Sequence, residues 1–375
     1  MLLKIRLLNF KCFEDEVIEL APFNLLTGLN GMGKSTLIQA LLLLRQSYEL
    51  NLLQQEGILA LNGELAQIGN AKDLRYQYAE SDEIAIELSS NEYTNMIWKW
   101  YSKTDSDYLT QRQNDFAPIR SLKLFPLFPS LFDTNFHYLN AERLGPRAYY
   151  DVSTYKVVKR NQLGIKGEFA INYLNEYGDR NIPIEALKHP DTEGLTLYEQ
   201  VNAWLSEIRP GTRVKTISNP NTSIVSSTYQ FIGGRDAGNE FRPTNVGFGL
   251  SYIVPILVAV LGSTPGALII LENPEAHLHP KGQTQIGKLL ALAAANGLQL
   301  IVETHSDHIL NGLRVAVKKG LIAPDQTKIL FFTGDVIENK FKHYILTPKI
   351  DKDGRIDDWP DGFFDEWEKQ LTELI

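Results

Sequence analysis

An apolar strand, a glycine-rich loop and an apolar helix follow one another without a break near the start of this chain. They are Phe23-Asn-Leu-Leu-Thr27, Gly28-Leu-Asn-Gly31-Met-Gly33-Lys34-Ser35 and the run Leu37 to Leu44. This order is the strand-loop-helix setting of a phosphate-binding loop, and it commits the chain to a nucleotide-binding α/β fold. Glycines admit positive φ, so successive N–H groups turn inward onto phosphate oxygens while the helix N-terminus adds its positive end. In this pattern Lys34 reaches the β and γ phosphates and the Ser35 hydroxyl ligates Mg²⁺.

The rest of the chain reads as a parallel α/β arrangement interrupted in the middle. Residues 2–9 and 15–20 read as strands, a helix runs from Lys34 into Tyr48, a polar helical stretch continues to about Ala60, and Glu83–Leu88 with Tyr93–Tyr101 reads as a hairpin. Residues 102–243 are less regular and read as an insertion or lid. They hold a polar loop at 104–115, a proline-interrupted apolar segment at 122–132, a helix near Thr196–Ile208 and two β-like runs around Asn219-Pro-Asn221. From Gly249 helix and strand alternate: a helix to Leu261, a strand Ala267–Leu271, a helix Pro280–Ala295, a strand Gln299–Glu303 and a helix Asp307–Lys319. Short links between such elements signal a parallel sheet with helices on its faces. A strand Ile329–Thr333, a hairpin and a terminal helix from Asp361 complete the chain.

Bulk properties narrow the class. With 43% hydrophobic and 22% charged residues the chain is a folded globular protein. A net charge of -8 argues against a uniformly basic nucleic-acid binder and leaves a local basic surface open. The apolar runs are too short to span a bilayer, the N-terminus lacks a cleavage signal, and the single Cys12 cannot form an intrachain disulfide, so no membrane association and a cytoplasmic location are expected.

Two further motifs complete a site. Ala267-Leu-Ile-Ile-Leu271-Glu272-Asn273-Pro274-Glu275 is a buried strand ending in carboxylates, where a P-loop fold holds Mg²⁺, a hard ion that favours oxygen ligands. Ile301-Val-Glu303-Thr304-His305-Ser306 places an imidazole at the mouth of the next strand, positioned to sense a γ phosphate. His277, His279, His305 and His308 fall in these two motifs and no cysteine joins them, so they are not read as a zinc centre.

The order of P-loop, Glu272-Asn-Pro-Glu275-Ala-His-Leu-His-Pro280 and Thr304-His305-Ser306 resembles an ABC-type ATPase of the SMC, RecF and OLD branch, as does the opening Ile5-Arg-Leu-Leu-Asn-Phe10-Lys-Cys-Phe13. The segment Tyr138 to Arg147 and the end Asp357-Asp-Trp359-Pro-Asp-Gly-Phe363-Phe364 resemble a subgroup whose C-terminal domain has no assigned function. The resemblance implies an α/β P-loop NTPase with a mixed sheet: 1–101 the N-terminal half of the ATPase head, 102–243 the insertion, 244–322 the C-terminal half and 323–375 a small α+β extension. It implies ATP and Mg²⁺ as cofactors, with Asn30, Gly31, Gly33, Lys34, Ser35 and Thr36 on the nucleotide. Ser35, Glu272 and Gln67 then face the metal, His305 is the switch histidine, and Ala276–Pro280 is the D-loop. The signature loop falls at Asn245-Val-Gly247-Phe-Gly249-Leu-Ser251, where it would cap the nucleotide of a second subunit.

That geometry implies a homodimer through the heads, and kinship implies a separate effector protein or a nucleic acid in antiphage defence or DNA maintenance. Roughly 70 residues follow His305, too few for a Toprim nuclease domain, so any cutting would fall to another subunit. One departure bears on catalysis: Asn273 stands where the family carries a second carboxylate, and Asn accepts no proton at neutral pH. Either Glu275 takes that role, or hydrolysis is slow and the protein acts as an ATP-held clamp and scaffold.

Overall fold

The computed structural model describes residues 1–91, 96–102, 105–112, 129–218, 221–233 and 236–374. Parts of the polar loop 104–115, of the segment 122–132 and of the turn at Asn219-Pro-Asn221 lie outside them. The first elements are β1 (Leu2–Phe10), β2 (Phe13–Glu19), β3 (Phe23–Gly28) and α1 (Lys34–Glu49). Next come β4 (Glu83–Ser90), β5 (Met96–Tyr101) and β6 (Phe136–Leu139). The middle holds α2 (Ala170–Tyr177), α3 (Leu197–Ile208), β7 (Thr212–Ser218), β8 (Ile224–Gly233) and β9 (Asp236–Phe241). The C-terminal part runs α4 (Phe248–Gly262), β10 (Leu268–Glu272), α5 (Pro280–Ala295), β11 (Gln299–Glu303), α6 (Asp307–Lys318), β12 (Thr327–Ile337), β13 (Lys340–Leu346) and α7 (Glu366–Leu374).

A six-stranded sheet in the order β13-β12-β3-β11-β10-β6 forms the centre. It is mixed: β12, β3, β11, β10 and β6 run parallel, and only β13 is antiparallel to its neighbour. Side chains alternate faces along each strand, and the sequence obeys that period of two. Leu25, Ile269, Leu271, Leu300, Val302 and Ile329 point into one core with helices α2 to α6. Leu26, Leu268, Ile270, Ile301 and Leu330 point into a second core. There α1 lies between the central sheet and an antiparallel sheet β2-β1-β4-β5. Because α1 is covered on both sides, Leu37, Leu41 and Leu44 are all fully buried, which explains its apolar sequence.

Polar side chains stitch the layers where the ladders leave gaps. Gln299 accepts from the Leu2 N–H at 2.8 Å and donates to the Leu2 carbonyl at 2.6 Å, tying β1 to β11. Asn24, fully buried in β3, donates to the carbonyls of Ala21 and Leu300. Helices α5 and α6 touch through Gly287 and Gly312, where a Cβ would meet the Ile309 or Thr284 carbonyl at 2.5 Å.

Both segments flanking the ATPase halves enter the central sheet. Residues 136–139, inside the expected insertion, supply the edge strand beside β10. Residues 327–332, in the expected extension, pair with β3 from Phe23 to Gly28. The helical stretch expected up to Ala60 stops at Gln55, before Gly57 with φ of 66°, and Leu59–Ala60 pairs instead with Tyr108–Leu109. The terminal helix begins at Glu366 instead of Asp361, because Gly362 has φ of 79° and Phe363 is buried against the Phe331 ring. Among the described residues no helix is long and apolar enough to cross a membrane.

Candidate nucleotide-binding site

The loop after β3 has the backbone its sequence demands. Gly28, Gly31 and Gly33 have φ of 130°, 80° and 105°. At Gly28 a Cβ would lie 2.1 Å from the Phe332 carbonyl oxygen, so β12 excludes any side chain there. Lys34 opens α1, is buried, and donates to the carbonyls of Gly28 at 2.8 Å and Leu29 at 3.0 Å. Burial lowers its pKa, and the Glu303 carboxylate 4.0 Å away works in the opposite direction.

Asn30, Gly31, Gly33, Lys34, Ser35 and Thr36 line one cleft, as expected from the sequence. Lys11, Lys72 and Arg75 bring cations to its rim alongside Asp73, with Arg75 paired to Asp82, and Glu303 and His343 face it from β11 and β13. A glycine loop at a helix N-terminus surrounded by cations suits a polyphosphate. Gln67 does not line this cleft. Asn62 holds both the N–H and the carbonyl of Gly69, forming a tight loop that leaves Gln67 exposed, and the chain reaches the cleft only at Lys72 to Gln77.

The two carboxylates expected at the end of β10 are engaged within the chain. Glu272 ends β10 and accepts hydrogen bonds from the Tyr138 hydroxyl at 2.9 Å and the Ala141 N–H at 3.2 Å. Burial raises its pKa, and these two donors counter that rise. Glu275 accepts from the Thr304 hydroxyl at 2.7 Å and the His305 N–H at 2.9 Å, so it clamps the segment that follows β11. His305 is exposed at the strand mouth, and desolvation followed by the Lys34 charge lowers its pKa. Ser306 then caps α6 by accepting from the N–H groups of His308 and Ile309.

Two residues have roles here that differ from, or go beyond, what the sequence suggests. Arg143 is buried, and its guanidinium donates to the carbonyls of Glu272 at 2.6 Å, Asn273 at 2.5 Å and Asn140 at 3.1 Å. It fixes the turn in which Asn273 takes φ of 46°, and burial pulls its pKa down to about 10. Glu303 is the second. It pairs in register with Glu272 on the neighbouring strand. Burial, then the Glu272 charge, pushes its pKa up to about 7 against the pull of Lys34. Its signal in the sequence is a carboxylate closing a strand whose three preceding residues are apolar.

The donor set fits Mg²⁺. Ser35 and Glu303 bring oxygen ligands to the cleft, whereas Glu272, expected at the metal, does not line it and turns its two oxygens to Tyr138 and Ala141; its charge on the adjoining strand still crowds Glu303, and paired carboxylates favour a hard divalent cation. The histidines of the two motifs are spread along the D-loop and switch. Elsewhere, His189, Asp191 and Glu207 come within 4.8 Å of one another. There Nδ1 of His189 accepts the Asp191 N–H and Nε2 lies 3.2 Å from Glu207, so both ring nitrogens have protein partners.

Asn245, Gly247 and Gly249 share no wall with the P-loop cleft. They line a separate one with Arg209, His277 and His279, and Gly249 sits so close to the D-loop that a Cβ would meet the His277 carbonyl at 2.5 Å.

Comparison with known proteins agrees with this architecture. Residues 62–311 match the family described as "AAA domain, putative AbiEii toxin, Type IV TA system", and residues 4–44 match a second AAA domain family. Residues 322–374 match a protein of unknown function (DUF3696). No curated protein matches the chain at a significant level. Among solved structures it is similar to an Smc head bound to the C-winged helix domain of ScpA, at 14% identity and a TM-score of 0.55, covering 92% of this chain and 97% of that one. It is also similar to an Smc head with an extended coiled coil bound to the C-terminal domain of ScpA from Pyrococcus furiosus, at 13% identity and a TM-score of 0.51, covering 100% and 99%.

Proposed function

The chain belongs to the AAA-domain family that matches residues 62–311, and on that premise we propose that it is an ATP-binding and ATP-hydrolysing head. In this reading it dimerises on ATP and couples nucleotide state to a partner effector or nucleic acid in antiphage defence or DNA maintenance. The observation that carries the reading is the P-loop cleft, in which Lys34, the glycine loop and Ser35 face one space beside Glu303.

Binding follows from the loop. On nucleotide entry Lys34 exchanges its two carbonyl partners for phosphate oxygens, and the N–H groups of the loop receive the β phosphate. Ser35 and the Glu272 carboxylate on the adjoining strand would hold Mg²⁺, which would supply charge neutralisation to the phosphates. Asn273 cannot take the proton of an attacking water. Glu275 is committed to Thr304 and His305, so Glu303 is the carboxylate left to orient that water and hold its proton. His305 at the strand mouth contacts the γ phosphate.

Pairing of two heads is supported by the position of the signature loop, which lies away from its own P-loop cleft at the start of α4. A helix N-terminus there suits the phosphate of a second subunit. Asn273 favours a second reading, a regulatory scaffold that holds ATP with little turnover and assembles a nuclease or other effector.

Phosphate release separates the two. Wild type should release phosphate, Glu303→Gln should lose about 100-fold in rate, and Glu275→Gln should lose less. No release from wild type favours the scaffold. ATP binding by Lys34→Ala at wild-type affinity refutes both. Sedimentation should show mass doubling with ATP and not with ADP, and a monomer at saturating ATP refutes head pairing. Metal-dependent DNA cleavage by the purified chain alone would contradict the division of labour with a separate effector.

A further inference from the structure

The segment that matches a family of unknown function reaches into the nucleotide cleft. Its strand β12 pairs with the P-loop strand so closely that Phe331 and Phe332 lie opposite Thr27 and Gly28. The antiparallel strand β13 then carries His343 to the cleft wall. Phe363 secures this arrangement by packing its ring 5.4 Å from that of Phe331.

The His343 imidazole is set in a defined place. Its ring lies edge-on to Phe341 with centroids 4.9 Å apart, and the carbonyls of Gly31 and Cys12 lie close enough to favour its protonated form, against burial, which lowers its pKa. Nδ1 is buried with no hydrogen-bond partner. A ring held at a cleft wall with Nδ1 shielded and Nε2 still accessible to solvent can offer that second nitrogen to what fills the cleft. Sheet order says which end of the ligand that is. The P-loop strand β3 has β11 and β10, with Glu303 and Glu272, on one side and β12 and β13 on the other. The terminal phosphate belongs on the carboxylate side beside Lys34, so the nucleoside end points toward β13.

We propose that His343 is a nucleotide-binding residue that contacts the nucleoside end of the bound nucleotide, making the C-terminal segment part of the binding site. The inference rests on the nucleotide-binding reading above. Its test is direct binding of ATP, ADP and inorganic tripolyphosphate to the full chain by calorimetry. His343→Ala should weaken ATP and ADP equally, by about tenfold for one lost hydrogen bond, and leave tripolyphosphate unchanged. His343→Phe keeps a ring against Phe341, removes both nitrogens and should show the same losses, which carries the test if the alanine variant unfolds. Unchanged ATP and ADP affinity overturns the proposal, as does a loss confined to ATP or a parallel loss for tripolyphosphate. Lys34→Ala serves as the reference. If it loses ATP while His343 variants keep it, only this inference fails; if it too binds normally, the nucleotide site itself is misassigned.

Discussion

Replacing Glu303 by Gln should make the nucleotide-free protein more stable and the enzyme slower. The ordinary glutamate pKa of 4.5 rises to about 7 in the fold, so the folded chain holds this proton more tightly than the unfolded chain. The stability this group contributes is therefore fully present below pH 4.5, falls between pH 4.5 and about 7, and is absent above. At about 1.36 kcal/mol per pH unit, the ionised carboxylate costs the fold about 3 kcal/mol at pH 8 and about 1 kcal/mol at pH 5. Gln keeps the shape and resembles the protonated acid, so the variant should gain about those amounts at each pH. Urea unfolding with a chelator present, at pH 5 and pH 8 and equal ionic strength, reads the difference directly. A variant no more stable than wild type at pH 8, or equally shifted at both pH values, refutes the reasoning. Paired with slower phosphate release, the gain would mark Glu303 as a group retained for chemistry at the expense of the fold.

Three other perturbations probe the frame around the site. Arg143→Ala strands three carbonyls that now share one buried guanidinium and should cost about 3 kcal/mol in chemical denaturation; a loss below about 1 kcal/mol would show that water replaces it. Gly28→Ala forces a Cβ onto the Phe332 carbonyl and should lower stability by more than about 2 kcal/mol while weakening ATP binding; an unaffected melting curve would contradict the close approach of β12. Gly287→Leu should separate α5 from α6 and lower the unfolding midpoint by about 2 kcal/mol or more, and a neutral result would mean that the helices can part freely.

Much of this architecture was legible because parallel strands buried on both faces read as short apolar runs, and the helices between them carry their own caps. From residue 249 to 319 the expected and observed elements differ by about one residue. The P-loop was legible for a different reason, since its glycines are dictated by local backbone geometry. What escaped depended on long-range contact. The strand at Phe136–Leu139 is only four residues long and has strand character only beside β10. Arg143 resembles any surface arginine until the turn after β10 closes around it. Gln67 has the loop setting expected of a metal-facing glutamine, yet the Asn62–Gly69 hydrogen bonds turn that loop away and leave Gln77 at the cleft. Glu303 was hidden by its apolar neighbours Ile301 and Val302.

The pairing of Thr327 to Phe332 with the P-loop strand also bears on how the chain is made. During synthesis the P-loop emerges about 300 residues before its sheet partner, and one edge of its strand stays unsatisfied until residues 327–332 have left the ribosome. Until then that edge offers free N–H and carbonyl groups to any passing strand. Nascent or truncated chains ending before residue 327 should therefore be aggregation-prone and dependent on chaperones, and ATP-binding competence should arise only once residues 327–332 have joined the sheet.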